Sequence, residues 1–294
     1  GWVGIRFQTE PEGGYNDIIL HIRFHQTETR AQQETLGKLG VNLIHSAFYK
    51  ADKPQRIVKY LYDHIDKDLI EIDLINFSGP KFANVDNRLM SLQLIKNGMT
   101  EAVMFAPDGN NQLPAEQLYK KNILTLRGSF RPVTNVNIDM LERSLQLFLA
   151  EKGVEEANTQ VIFEITLSNL LASGELDEQD FLDRTRILCS LGYKVLISNF
   201  KEYYRLAEYF SNYTKAQMGM VMGVDNLIAI FEEEYYTHLS GGILEAFGKL
   251  FYRDIKIYLY PMRDKQTGQI VTSNNIHVSP RMKELYKFFK FNEK

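Results

Sequence analysis

The sequence predicts an α/β protein: a parallel sheet whose strands alternate with helices. Three observations predict it. Apolar runs of strand length alternate along the chain with segments whose apolar residues recur at helical spacing. Parallel strands need crossover connections, usually helices, so that order implies a parallel sheet. The composition, 44% hydrophobic and 24% charged over 294 residues, is that of a soluble globular chain with room for one large domain or two ordinary ones.

Trp2–Thr9 and Asp17–His25, with the turn-rich EPEGGYN between them, read as a β-hairpin. His21 and His25 have a ligand-like spacing, but on a strand they lie too far apart to hold a metal together. Arg30–Tyr49 follows as a helix with Leu36, Leu39, Leu43, Ile44, Ala47 and Phe48 at helical spacing, despite Gly37 and Gly40. Gln55–Ile65 is a second helix, and Leu69–Phe77 a strand stopped by Ser78-Gly79-Pro80. Asp86 caps a helix running to Asn97, and Ala102–Ala106 is a strand closed by Pro107-Asp108-Gly109. The loop-like run Asp108–Gln112 sets the expected domain boundary: residues 1–111 as an N-terminal α/β domain of unknown role, and 112–294 as a second domain.

The second domain opens on Ile123–Leu126, a buried strand broken by Gly128, Ser129 and Pro132. Thr134 or Asn135 then caps a helix that runs to about Lys152. Strand, glycine turn and helix start bring backbone N–H groups and a positive dipole end together, which suits a phosphate. Gln160–Leu167 is a strand carrying Glu164; a carboxylate there needs solvent, a partner or a site. Glu178–Leu191 (helix), Lys194–Ser198 (strand), Glu202–Tyr213 (helix) and Gln217–Met222 (strand) follow. Gly223-Val224-Asp225-Asn226 is a second corner, with Asp225 expected as the cap. Asn226–Phe251 reads as two helices parted by Ser240-Gly241-Gly242, Ile255–Tyr260 as a strand, and Arg281–Phe291 as a terminal helix after a polar loop.

The net charge of −3 gives no general case for nucleic acid or an anionic membrane as partner. Cys189 is the single cysteine, so no disulfide forms within the chain; this suits a reducing cytoplasm, with Cys189 a core residue and not a nucleophile. No run approaches the length of a membrane span, and no leader signature is present. The chain starts at Gly1 directly in strand-like sequence, as expected of a piece of a longer protein.

The central stretch Gly128-Ser129-Phe130-Arg131-Pro132-Val133-Thr134-Asn135-Val136-Asn137, followed by Asp139, Glu142 and Arg143, resembles the opening motif of the nucleotidylyltransferase superfamily. The nearest members are the nicotinate-nucleotide and phosphopantetheine adenylyltransferases, whose pattern is G-[ST]-F-D-P-x-[HT]-x-G-H. The likeness covers about 25 residues and departs at three: Arg131 stands for the family Asp, Val136 for the Gly and Asn137 for the second His. A looser likeness to the family's second motif falls at Ser279, Lys283 and Glu284.

The resemblance implies a Rossmann-like domain of five parallel strands from Ile123 onward. It implies a nucleotide or phosphate ligand, with Mg²⁺ accompanying a nucleoside triphosphate if the protein is active. Gly128, Ser129 and Phe130 would pass the phosphates along the backbone, with Ser279 and Lys283 as further binding residues. Arg131, Thr134 and Asn137 would be the catalytic set, Arg131 supplying the charge the histidine once carried. Loss of that histidine also leaves a catalytically degenerate nucleotide-sensing or assembly module in play. Homo-oligomer formation is left open.

A different count gives eight strands from Asp17 onward and a single (β/α)₈ barrel. Its mouth would gather His25, Asn76, Asp108, Arg127, Ser168, Asn169, Asn199 and Asp225. It would act on a small anionic substrate, with Glu164 or Asp73 as base and Arg127 as anion clamp.

Overall fold

A computed structural model describes residues 1–172 and 174–291, with side chains to 289. In chain order the strands begin with β1 (Trp2–Phe7), β2 (Asn16–Phe24), β3 (Ile70–Ser78), β4 (Ala102–Phe105), β5 (Asn111–Gln112) and β6 (Asn122–Arg127). They continue with β7 (Thr159–Thr166), β8 (Lys194–Ser198), β9 (Met218–Gly223), β10 (Ile255–Tyr260), β11 (Met262–Arg263) and β12 (Ile270–Val271). The helices are α1 (Thr29–Tyr49), α2 (Pro54–Tyr60), α3 (Asn87–Lys96), α4 (Pro114–Leu118), α5 (Asn135–Leu149) and α6 (Leu167–Leu170). The rest are α7 (Glu178–Ser190), α8 (Tyr203–Ser211), α9 (Val224–Ile230), α10 (Gly242–Leu250) and α11 (Lys283–Phe291). This is the expected α/β class: among the described residues seven strands make a mixed, mostly parallel sheet, and three strands near the N-terminus make an antiparallel sheet of their own. The chain forms two compact units, residues 1–116 with 167–199, and residues 117–166 with 200–294.

In the first unit β1, β2 and β3 pair antiparallel in that order. Ile18, Leu20 and Ile22 alternate along β2 and are buried, as a one-sided strand requires. Helix α1 buries Leu39, Leu43 and Ala47, while Leu36, Ile44 and Phe48 from the same expected apolar face are exposed. Asp86 caps α3 as expected, accepting from the Arg88 backbone N–H. Gly79 has φ +104°, and a Cβ there would lie 2.4 Å from the Tyr15 carbonyl oxygen, so only glycine fits the end of β3. Cys189 is buried, and burial pushes its thiol up to about 11, which leaves it unreactive. Strand β4 pairs antiparallel with β8 on one side and β5 on the other.

These pairings remove the eight-stranded barrel. Its staves must all run parallel, whereas β2 and β3 pair antiparallel in a sheet of their own and β4 opposes β8. The strand count was adequate, but it carries no direction. The helices α1 and α2 between β2 and β3 return the chain antiparallel instead of crossing it over. The polar residues expected at a common mouth therefore share none.

In the second unit four strands lie parallel in the order β10-β9-β6-β7. The first of them in sequence, β6, lies inside, between β9 and β7. Helix α5 joins β6 to β7 and packs on β6 and β9. Alternate residues of β10 tie it down: Lys256 to Glu151, Tyr258 edge-on to Phe148 at 6.0 Å, and the Tyr260 hydroxyl to Asp139 Oδ2 at 2.5 Å. Room for this comes from Gly219 on β9, where a Cβ would lie 2.7 Å from Leu124 and 2.9 Å from Tyr258. The expected two helices after β9 are α9 and α10, with a short 3-10 turn at Glu233–Tyr236 between them. The polar loop after β10 folds back on itself as the β11–β12 pair.

Two glycines should respond oppositely to a side chain. Gly219→Val forces Leu124 and Tyr258 apart and should lose about 1–3 kcal/mol. Gly248 lies inside α10 with nothing within 4 Å of a built Cβ, so Gly248→Ala should gain about 0.5–1 kcal/mol of helix stability. Urea denaturation of both variants checks the pair; equal effects would mean that Leu124 and Tyr258 do not close over Gly219 as described.

Candidate functional site

The corner after β6 is built from the strand outward. Asn122–Leu126 are buried, and Arg127 stands in register with Glu164 on β7. Glu164 is wholly buried, 0% exposed, and takes both sides of the Arg127 fork: Nε to Oε2 at 2.6 Å and an Nη to Oε1 at 2.9 Å. The other Nη of Arg127 donates to the Lys201 carbonyl at 2.9 Å, and the Tyr203 ring lies 4.4 Å from the guanidinium carbon. Burial works against the Arg127 charge, but the Glu164 carboxylate outweighs it and the arginine is held above its ordinary range. Burial pushes the Tyr203 phenol up to about 12, and its hydroxyl is buried with no hydrogen-bond partner among the described residues.

Next, the Gly128 N–H donates to the Glu164 carbonyl at 3.1 Å and extends the β6–β7 ladder by one residue. Ser129 is exposed. Phe130 turns back at φ +45° and buries its ring edge-on against Phe163, centroids 4.9 Å apart. That ring lies where a Gly128 side chain would be: a Cβ there would come within 2.8 Å of it. Close approach at Gly128 is thus used by the chain's own phenyl ring. Arg131 is exposed and precedes Pro132 through a cis peptide bond.

Thr134 is the cap of α5, as expected. It forms a capping box with Asn137: the Thr134 N–H and hydroxyl donate to Asn137 Oδ1 at 2.9 and 2.8 Å, and the Asn137 N–H donates to Thr134 Oγ1. Asn137 spends its oxygen on the cap and keeps its amide N–H₂ as a donor. Val136 is 55% exposed.

The two flanks of this corner differ. On the β7 side the Arg127–Glu164 fork and the Phe130–Phe163 contact fill the space. On the β9 side, Leu126 pairs with Val221, so continuing the register sets Gly128 level with Gly223. Nothing lies within 4 Å of a Cβ built on Gly223. Tyr260 pairs with Gly223 from the other flank. Its hydroxyl, with Arg143, holds the Asp139 carboxyl below the usual carboxylate range.

Six of the expected site residues, Gly128, Ser129, Phe130, Arg131, Thr134 and Asn137, therefore occupy one continuous corner. Ser279 and Lys283 lie on the last helical segment, whose Tyr286 packs on Phe231 and whose Arg281 reaches Glu233. Asp225 is not a cap: Gly223 takes the cap position and Asp225 falls inside the first turn of α9. Glu164 and Arg127, expected as base and anion clamp, neutralise each other. Asp73, the other expected base, is buried against His21 Nδ1 at 2.6 Å; burial, partly offset by that histidine, holds its carboxyl above the usual range. Lys201, Tyr203 and Tyr260 were not singled out from sequence. The only signal for them was polar or aromatic residues at the last position of a strand or in the few residues after one.

No group of three or more His, Cys, Asp or Glu side chains suited to a metal occurs among the described residues. A cavity of about 710 Å³ lies between α8 and α10, lined by Glu208, Ser211, Lys249 and Arg253 among others, and contains none of the expected site residues. No helix of the described residues is long and apolar enough to cross a membrane. No protein-family model, curated protein or solved structure matches the chain.

The Asp139 tie gives a pH signature. A carboxyl lowered in the fold contributes stability above its unfolded value and loses it as pH falls through the folded one. The stability difference between wild type and Tyr260→Phe should thus be constant near neutrality and shrink in acid. Urea melts across pH measure it, and a difference that persists well below the carboxylate range would show that Tyr260 acts through packing alone.

Proposed function

We propose that this chain binds a nucleotide or a phosphate at the β6–α5 corner, and that it is a relative of the nicotinate-nucleotide and phosphopantetheine adenylyltransferases that has lost catalytic power. The observation that supports the site most is the position of β6. It lies between β7 and β9, so the chain leaves it toward one side and later returns on the other. In open α/β sheets the crevice outside the strand C-termini at such a switch point is where ligands bind. The start of α5 adds unpaired backbone N–H groups and the positive dipole end.

In this reading a phosphate approaches from the β9 side, over Gly223, and takes hydrogen bonds from the corner backbone and the Asn137 amide. Arg131 adds charge at the exposed edge. Adenylyl transfer would need an acceptor phosphate oxygen to attack the α-phosphorus while pyrophosphate leaves, and the protein's share is position and charge. The family histidine carries charge at the place of Asn137, which carries none. The buried arginine beside the corner cannot substitute, since Glu164 holds it. Mg²⁺ would enter only as part of the nucleotide complex, because the carboxylates closest in sequence and register, Glu164 and Asp139, are each paired with an arginine. The reading asks nothing of Ser279 or Lys283.

Thermal melts and a pyrophosphate-release assay test it. ATP, CTP or inorganic phosphate should raise the melting temperature, because a ligand bound only to the folded state stabilises it. Wild type should release no pyrophosphate, and Asn137→His alone should not restore release. If wild type is active after all, Arg131→Ala should lower turnover at least about a hundredfold, the scale of losing one transition-state donor. An unchanged melt with every phosphate compound would remove the site.

A further inference from the structure

We propose that the cavity between α8 and α10 binds a small organic monocarboxylate, with Arg253 as the residue that takes its charge. The site is separate from the phosphate reading above, since none of the corner residues lines this cavity.

The topology builds the walls. Helix α8 leads into β9 and α10 into β10, and those two strands are parallel neighbours. The helices therefore run in the same direction and end on the same side, packed on each other. Glu208 and Asn212, four residues apart, share a face at the end of α8. Glu245 and Lys249 do the same on α10, and Tyr252 and Arg253 follow just past its end. Gly248 leaves the floor bare, with nothing within 4 Å of a Cβ built there. At about 710 Å³ the cavity is in the range of small-molecule sites.

Most of the charge here is already matched. The Lys249 ammonium lies 3.3 Å from Glu245 and 3.8 Å from Glu208, over the Tyr204 ring at 5.5 Å. Glu208 and Glu245 together hold it above its ordinary range. The second Glu245 oxygen accepts the Gly241 N–H at 2.9 Å. Arg253 is the exception. Its guanidinium carbon is placed 5.0 Å from the centre of the Tyr252 ring, and its Nε is buried without an acceptor. The side chain makes no hydrogen bond or ion pair among the described residues. Asp254, its neighbour in sequence, reaches Gln217 instead.

A buried N–H without an acceptor is unfavourable, and a ligand can relieve it. The matching acceptor is a planar carboxylate, whose two oxygens meet Nε and a terminal nitrogen together. Tyr252 is 75% exposed, so the guanidinium can turn with it toward the cavity without disturbing the core. Charge decides against phosphate. The lining carries two acids and two bases, and two helix C-termini add partial negative charge. One ligand charge finds the unpaired guanidinium; a second would face the glutamates. The rest of the ligand lies over the bare floor at Gly248, against the Tyr252 ring.

Ligand-observed NMR titrations of the full chain with acetate and benzoate test this, with acetamide and benzamide as uncharged counterparts and inorganic phosphate as the competing anion. A carboxylate should bind and its amide should not. Arg253→Gln should weaken binding at least about tenfold, the scale of a charged hydrogen bond. Arg253→Lys should restore only part of it, because an ammonium has no fork. Without ligand, Arg253→Gln should melt no lower than wild type, since the lost guanidinium had no partner. Gly248→Leu builds into open space and should fold as wild type does, yet abolish binding by filling the floor. Arg30→Gln, which removes an exposed charge on α1, should bind as wild type does. The proposal is overturned if neither carboxylate binds wild type, if the amides bind equally well, or if Arg253→Gln or Gly248→Leu keeps wild-type affinity. An equal loss in Arg30→Gln would overturn it as well. Phosphate binding that disappears in Arg253→Gln would make this an inorganic-anion site and overturn it too, whereas phosphate binding that survives in Arg253→Gln agrees with it.

Discussion

The paired charge of Arg127 and Glu164 is the constraint that the second unit is built around. Two ions taken out of water cost several kcal/mol each unless geometry and further hydrogen bonds offset the loss. Here the offset is close to complete. The strands put the two residues directly opposite each other, the guanidinium presents its fork to both carboxylate oxygens, its remaining nitrogen finds the Lys201 carbonyl, and the Tyr203 ring covers its face. Removing either partner would strand a buried charge. The pair therefore behaves as a fixed pin through two strands and the entry to α8, at the end of the sheet where the chain changes direction.

From that pin the corner follows. The β6–β7 ladder continues one step to Gly128, and Gly128 must be bare because Phe130 folds its ring back over it. Phe130 in turn closes the β7 side against Phe163. With that side filled, the open flank faces β9 and Gly223. The Thr134–Asn137 box starts α5, Tyr260 and Tyr258 of β10 hold the helix at Asp139 and Phe148, and Lys256 holds Glu151 just past its end. Packing and polar satisfaction thus point the same way, which is what allows a strained residue such as Phe130 to persist.

The motif residues illustrate how one stretch serves two demands. Gly128 and Thr134 looked like phosphate contacts because glycine and threonine at a strand–helix corner are what such contacts require. In the fold each also has a structural duty: Gly128 admits Phe130 and Thr134 caps the helix. A backbone shaped by those duties still presents N–H groups at a dipole end, so the structural role and the proposed ligand role are compatible.

The alternation of strands and helices, the capped starts of α3 and α5, and the glycine at the end of β3 were legible in the residues. All of them are local: they depend on spacing, on short polar side chains and on backbone freedom within a few positions. Strand direction was not legible, because an apolar run reads the same either way, and so the barrel count survived until pairing was known. Nor was the inward face of α1, where Leu39, Leu43 and Ala47 are buried while Leu36, Ile44 and Phe48, only a residue or so away on the helix surface, are exposed. Glu164 announced that it needed a partner, yet 37 residues separate it from Arg127, and nothing in the chain between them names the pair. Only the parallel register of β6 and β7 brings them opposite each other, and with them Lys201 and Tyr203. Those contacts lie between segments far apart in sequence, where position is set by pairing and packing and not by local preference.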